Sequence, residues 1–391
     1  MLNNEFPPLG GGTGTVTRAL LDRLAAIPDL EVDLVTSALG RCREEDRPAE
    51  RIRIRKVPVR NRDLHHSSSR ELLAYAGGAL REAARLHRAR PYDVALAWST
   101  VPAGAVALAL RRLGGLRYVV RVGGPDIPGW EARYGPLYPV LTPLIRRTWR
   151  AAEAVVVKCR EEAELVGARE PRARLRVIPN GVDLTAFPAA APIPDAGPLR
   201  VLCVGRLIAR KRQPDLIRAV ARLRDAGVAV TLDLVGTGDA RAACEAEVRR
   251  LGLEDRVRVL GYVPRETIWR CYAEAHVFAL PSANEGMSVA TLEAMAAGLP
   301  LVVTRTGGAG ELVADGENGL LFDAGDVERL ARHLGRLAVD RPFARRAGGA
   351  SRARATRFSW DGVAAAYLAL FEAVAAAPGA LAPAAAGGQA S

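Results

Sequence analysis

Short apolar runs recur along the chain and alternate with longer stretches in which apolar positions return every third or fourth residue. Runs of the first kind fit strands buried on both faces of a parallel sheet, and stretches of the second kind fit the amphipathic helices that cover such a sheet. Residues 31–36, 94–98, 118–122 and 154–157 read as strands, and 176–179 closes this first series. Helices are expected over 16–26 and 70–88, and again between the strand at 94–98 and residue 113. A second series places strands at 199–204, 228–235, 257–260, 276–280, 301–304 and 319–322. Its helices are expected at 214–226, 241–252, 267–275, 287–297, 327–338 and 360–374. This alternation predicts α/β architecture with two doubly wound parallel-sheet domains.

Four places break the pattern. Only six residues precede the Gly-rich turn at 7–14, so most of a first strand is expected to be missing: either the reading frame begins upstream or the fold tolerates a stub. The turn fails the dinucleotide fingerprint, because Thr15 stands where a third glycine would follow Gly10 and Gly12. Residues 41–62 are basic and read as a solvated loop with an edge strand, and His65-His66 as a loop tip. Between 130 and 150, Pro136, Pro139 and Pro143 argue against one long amphipathic helix, although the mixture of apolar residues and arginines fits a membrane surface. The Pro- and Ala-rich stretch at 187–198 reads as a linker, and residues after 378 as disordered.

Composition narrows the function. A length of 391 residues suits two domains, and the net charge of +12 rests on arginine, since Lys56, Lys158 and Lys211 are the only lysines. A coding bias explains that excess at least as well as nucleic-acid binding, for which no motif is present. A positive surface still favours anionic membranes and phosphorylated substrates. Cys42, Cys159, Cys203, Cys244 and Cys271 are scattered without a CxxC pair and read as buried thiols of a reducing compartment. Neither a membrane span nor a signal peptide is evident, so a cytoplasmic protein is expected.

Chemistry concentrates at residues 280–300. A strand ends at Pro281, a polar turn carries Glu285, and a helix follows that carries Glu293. The N–H groups of Gly286, Met287, Ser288 and Val289 would lie at the helix start, where an anion is favoured. Two carboxylates thus flank a phosphate cradle at the carboxyl end of a strand.

The chain resembles the retaining glycosyltransferases of family 4. The resemblance is carried by Pro7-Pro8-x-x-Gly11-Gly12, Pro179-Asn180-Gly181-Val182-Asp183, the pair Arg206 and Lys211, and Glu285-Gly286-x6-Glu293-Ala294-Met295. Gly298-x-Pro300 and Gly307-Gly308-x-x-Glu311 complete it. It implies a GT-B fold, two facing Rossmann-like domains. These would be an acceptor-side domain at 1–182, a linker at 183–198, a nucleotide-sugar domain at 199–355 and a helix at 356–376 packing back toward the first domain, with a tail at 377–391.

By the same resemblance Arg206 and Lys211 would neutralise the leaving diphosphate, and Glu285 with the following N–H groups would orient the sugar and distal phosphate. Glu293 would accept from the ribose hydroxyls, Val263 would lie beside the base, and Gly11 and Gly12 would approach the diphosphate. Many relatives carry a histidine in the loop after the strand at 118–122; here Arg121 or Asp126 would substitute on the acceptor or sugar side.

The resemblance also implies same-face attack without a protein nucleophile, and no DxD pair suggests a metal. The expectation is therefore a retaining, metal-independent hexosyltransferase of envelope or exopolysaccharide assembly. It would use a nucleotide sugar as co-substrate, UDP ahead of GDP, and no cofactor. Its acceptor would be a glycan or lipid-linked, at the inner membrane face. A sugar-nucleotide epimerase and a silent binding scaffold of the same fold are the competing readings.

Overall fold

A computed structural model of the protein describes residues 1–40, 42–59, 61, 67–131 and 134–377. His65-His66 and the tail after 377 lie outside the described residues. The chain forms two compact units, one of residues 1–179 with 360–391 and one of residues 180–359.

In the first unit, the chain runs through α1 (Gly12–Leu24), β1 (Val32–Ala38), β2 (Glu44–Ala49), β3 (Ile52–Pro58), α2 (Ser69–Ala89), β4 (Ala95–Trp98) and α3 (Ala105–Gly114). Then come β5 (Tyr118–Arg121), α4 (Tyr138–Ala151), β6 (Ala154–Val157), α5 (Arg160–Arg169) and β7 (Leu175–Val177). Strands pair in the orders β1-β3-β2 and β4-β5-β6-β7, all parallel except the edge strand β2.

The two groups are joined by Leu2, which bridges Val35 on one side and Ala97 on the other, both in parallel. Leu2 donates to the Leu96 carbonyl and accepts from Trp98, each at 2.8 Å, while Met1 accepts from Val35 and Asn3 donates to its carbonyl. Residues 1–3 thus pair between β1 and β4, the place expected for a first strand. The side chains of β1 and of β4 to β6 are buried, as the apolar runs required.

Helix α4 covers only the later part of 130–150, beginning after Pro136, and departs from the expectation in continuing past Pro143. It runs for 14 residues with Pro139 in its first turn, where an N–H has no intrahelical acceptor, and passes through Pro143. The basic segment after residue 41 is an ordered hairpin edge in which Lys56 pairs with Glu44 and Asp46, and Arg55 with Glu45. The thiols are also not uniformly buried: Cys42 is exposed.

The second unit comprises β8 (Leu199–Val204), α6 (Gln213–Asp225), β9 (Val230–Val235), α7 (Arg241–Arg250), β10 (Val257–Gly261), α8 (Trp269–Glu274) and β11 (Val277–Leu280). It continues with α9 (Val289–Ala296), β12 (Leu301–Thr304), α10 (Ala309–Leu312), β13 (Gly319–Phe322), α11 (Val327–Val339) and α12 (Arg341–Ala355). Its parallel strands lie in the order β10-β9-β8-β11-β12-β13. The winding direction reverses between β8 and β11, which opens a crevice beyond their carboxyl ends.

The stretch expected as a free linker is bound to this unit. Phe187 and Ile193 are in its core, Ala190 donates to the Ala297 carbonyl and Ala191 to that of Ala273. Helix α12 leaves little hydrophobic signal in the sequence because its buried face is built largely of Ala344, Ala347, Gly348, Ser351 and Ala355. A Cβ on Gly348 would strike the Gly298 carbonyl, so the small residues allow close approach. The last helix, α13 (Trp360–Ala376), belongs to the first unit, where it packs on α1.

Candidate functional site

The loops that follow β8 and β11 meet at the reversal point of the second unit. Ala283 of one donates its N–H to the Arg210 carbonyl of the other at 2.7 Å. Across this junction the Lys211 ammonium pairs with Glu285 Oε1, and Arg210 reaches the same oxygen at 3.4 Å and the Asn284 carbonyl at 3.3 Å. Burial pushes the Glu285 carboxyl up, but the nearby charges of Lys211 and Arg210 outweigh it and hold the group below its ordinary range. Glu285 is therefore ionised at neutral pH, and its two cations are fixed in place by it.

The turn after Glu285 is braced from two sides. Asn180 donates its side-chain N–H to the Met287 carbonyl at 2.8 Å. On the other side Gly308 donates to the Gly286 carbonyl, and Gly307, at φ +52°, lies so close that a Cβ there would overlap the Glu285 carbonyl. Ser288 then caps α9 by accepting from Thr291 at 3.2 Å. Among the described residues, the N–H groups of Gly286, Met287, Ser288 and Val289 donate to no protein acceptor. Four donors at a helix start beside two cations form a seat for an anion.

Other expected residues lie elsewhere or are already engaged. Arg206 shares the β8 loop with Lys211, but its side chain is exposed and does not join the Glu285 cluster; only its carbonyl is used, accepting from Gln213 at 2.9 Å. Glu293 is 3% exposed, with Tyr272 donating to Oε2 at 2.7 Å and Arg265 paired to Oε1. Val263 follows β10 and is half-buried against the core.

Gly11 caps α1 and Gly12 begins it in the first unit, and a Cβ on either would meet nothing within 4 Å. Their bareness therefore has no packing cause. The Gly11 N–H faces Glu5 Oε2 at 3.4 Å.

Arg121 and Asp126, which the resemblance offers for the acceptor or sugar side, are both buried and engaged by protein groups. The Arg121 guanidinium is 4% exposed and stacks on Trp98, 4.7 Å from the ring centre. Asp126 accepts from the N–H groups of Gly123 at 2.8 Å and Thr100 at 2.9 Å, which ties the loop after β5 to the one after β4. Burial raises its carboxyl above the ordinary value.

Sequence reasoning missed Arg210, Arg265, Tyr272 and the bracing role of Asn180. Arg210 sits within a run of three cations, Arg210-Lys211-Arg212, which reads as a solvated loop until the fold shows which side chains turn inward. No group of acidic, histidine or cysteine residues among the described residues would hold a metal ion.

Two family models match nearly the whole chain: Glycosyltransferase Family 4 over residues 10–186 and Glycosyl transferases group 1 over residues 190–354. A GDP-mannose-dependent alpha-(1-6)-phosphatidylinositol monomannoside mannosyltransferase of Mycolicibacterium smegmatis is 29% identical over 362 residues, 87% of this chain and 89% of that protein. A D-inositol 3-phosphate glycosyltransferase of Xylanimonas cellulosilytica is 34% identical over 240 residues, 56% of each chain.

Among solved structures, sucrose-phosphate synthase from Thermosynechococcus elongatus superimposes with a TM-score of 0.83 at 24% identity, covering 95% of this chain and 98% of that one. Anabaena HepE in complex with UDP and glucose gives 0.73 at 22% identity, with the same coverage. With both halves matched by models of one enzyme class, and the fold shared along its length, the chain belongs to the family 4 glycosyltransferases of GT-B fold.

Proposed function

We propose that the protein transfers a hexose, with retention, from a nucleoside diphosphate sugar to an acceptor hydroxyl in cell-envelope or exopolysaccharide assembly. The observation that carries this reading is the turn at the reversal point, where four unspent N–H groups and two cations held by Glu285 converge. A departing diphosphate gains negative charge in the transition state, and donors already fixed in place stabilise it without reorganisation. Lys211 and Arg210, with Arg206 on the same loop, would offset that charge without a divalent metal. Glu285 would both hold the cations and accept from the sugar hydroxyls, and Glu293 would accept from the ribose.

No protein carboxylate is assigned as nucleophile: the leaving phosphate oxygen would take the acceptor's proton as the new bond forms on the same face. The mannosyltransferase relative is GDP-mannose-dependent by name, while HepE holds UDP, so the base is a matter for direct titration. Calorimetric titration with UDP, GDP and ADP, in EDTA and then with magnesium, tests the proposal. One nucleotide binding in EDTA supports it. Binding only with magnesium overturns metal independence. No binding at all points to a silent scaffold, and free nucleotide with an epimeric sugar, formed without an acceptor, points to an epimerase.

The acceptor side is read as membrane-linked, with the protein at the cytoplasmic face. No described helix is long and apolar enough to cross a membrane. Helix α4 and its N-cap, however, leave Leu137 44% and Val140 77% exposed on a segment that also exposes Arg147, a combination suited to an anionic lipid surface. Flotation with anionic vesicles should recover the protein and Val140→Asp should reduce recovery; equal recovery of both would remove α4 from that role.

A further inference from the structure

Each oxygen of Glu293 already carries a donor. At 3% exposure its carboxylate is enclosed, and both oxygens are taken by Tyr272 and Arg265. The two partners differ in kind. Tyr272 is fully buried, packed edge-on to Phe187 at 5.4 Å and against Phe278 at 6.2 Å, and is part of the core. Arg265 lies in the loop after β10, its side chain is 47% exposed, and its guanidinium rests over the Phe187 ring at 5.6 Å. One partner is fixed and the other lies on the solvent side of the carboxylate it covers.

We propose that Arg265 is a gate on the ribose seat: its guanidinium occupies Glu293 in the free protein, and a nucleotide's ribose hydroxyls must displace it in order to bind. The proposal rests on the reading of Glu293 as the ribose acceptor. It follows from burial and position: the carboxylate is enclosed at 3% exposure and its half-exposed partner is Arg265, so ribose hydroxyls reach the oxygens by the side the guanidinium now covers. The Arg265 pair is the one that can be released. Phe187 offers the guanidinium an aromatic face on which to remain when the ion pair opens. The apparent affinity of the free protein is then the affinity of the open form reduced by the fraction of molecules in which Arg265 has left.

The gate has a consequence of unusual sign. Removing a cation beside a diphosphate ligand ordinarily weakens binding. Here it should strengthen it, since the competitor for Glu293 is gone.

The test is calorimetric titration of the full chain with UDP and with GDP, comparing wild type, Arg265→Ala, Arg265→Gln, Glu293→Gln and the double variant Arg265→Ala/Glu293→Gln, with thermal melts to confirm folding. The nucleotide that binds wild type should bind both Arg265 variants tighter, on the order of 3- to 10-fold for a half-exposed ion pair. That gain should vanish in the Glu293→Gln background.

If wild type binds and Glu293→Gln weakens binding, yet Arg265→Ala binds equally or less well, the gate is wrong and the ribose reading stands. If Glu293→Gln binds as wild type does, the ribose reading falls and the gate with it. If wild type binds neither nucleotide, the proposed function and the gate fall together.

Discussion

At the residue scale, the three lysines are all committed. Lys56 pairs with acids of the hairpin edge, Lys158 with Glu162 at 2.6 Å and the Val122 carbonyl at 2.9 Å, and Lys211 with Glu285. Only the last lies beside unspent backbone donors. Lys211→Ala should therefore lower kcat by on the order of 100-fold while changing donor KM far less, because the charge it meets grows in the transition state. Steady-state kinetics with the donor that binds decides this, and a change confined to KM would end the leaving-group role. Glu293→Ala should weaken nucleotide binding by about 1–3 kcal/mol, the loss of charge-assisted bonds to ribose, read by calorimetry.

A third residue sets a pH dependence. His276 is 2% exposed and accepts from the Arg200 N–H at 3.2 Å; burial, with the charges of Arg200 and Arg341, pulls its pKa to about 4. Between that value and the ordinary one near 6.5, the unfolded chain takes a proton that the folded chain refuses. The contribution is present above pH ~6.5 and is lost as pH falls toward about 4. The unfolding free energy of the wild type, read by denaturant titration, should drop across that window by about 3 kcal/mol, and His276→Gln should flatten the decline.

At the element scale, the candidate site is a turn held by its neighbours. The loop after β12 approaches the Glu285–Gly286 backbone more closely than any Cβ allows, which gives a physical reason for Gly307. Gly307→Ala should leave α9 and β12 formed, since both are anchored by buried apolar residues, but shift the turn. Circular dichroism close to wild type, together with nucleotide binding lost by 10-fold or more, is the expected pair of results. Unchanged binding would show that the turn tolerates displacement.

Asn180 braces the other side, and Asn180→Leu would leave the Met287 carbonyl buried without its donor. A loss of about 1–3 kcal/mol in the second unit's stability, read by denaturant titration, is expected.

At the scale of the whole molecule, α13 follows the second unit in sequence but is part of the first. Tyr367 on this helix is 1% exposed and lies 6.4 Å from Trp98, on which Arg121 also stacks, and Arg117 donates to the Val374 carbonyl at 2.7 Å. The chain leaves and re-enters the first unit through neighbouring segments, since Val182 and Ser359 form a parallel bridge. Tyr367→Ala should therefore cost about 3–5 kcal/mol in the first unit while sparing the second. Hydrogen exchange should show protection lost in β4 and β5 and retained in β8 and β11; uniform loss would mean the two units unfold as one.

The apolar runs and the intervals between them determined the two α/β series, because strands buried on both faces and the helices that cover them need those periods wherever they lie. Motif order and spacing determined the family, and placed Glu285, Glu293 and Lys211 on loops and a helix at strand ends. Tertiary structure decided which of these groups meet. Pairing in space selected Arg210 with Lys211, left Arg206 exposed, buried Arg121 against Trp98 and covered Glu293 with Arg265. It also seated Leu2 between β1 and β4 and carried α12 past its prolonged run of small residues. Periodicity records which face of an element is buried, whereas ion pairs, close backbone approaches and bridges depend on what the fold brings opposite, and that is set by residues tens to hundreds of positions away.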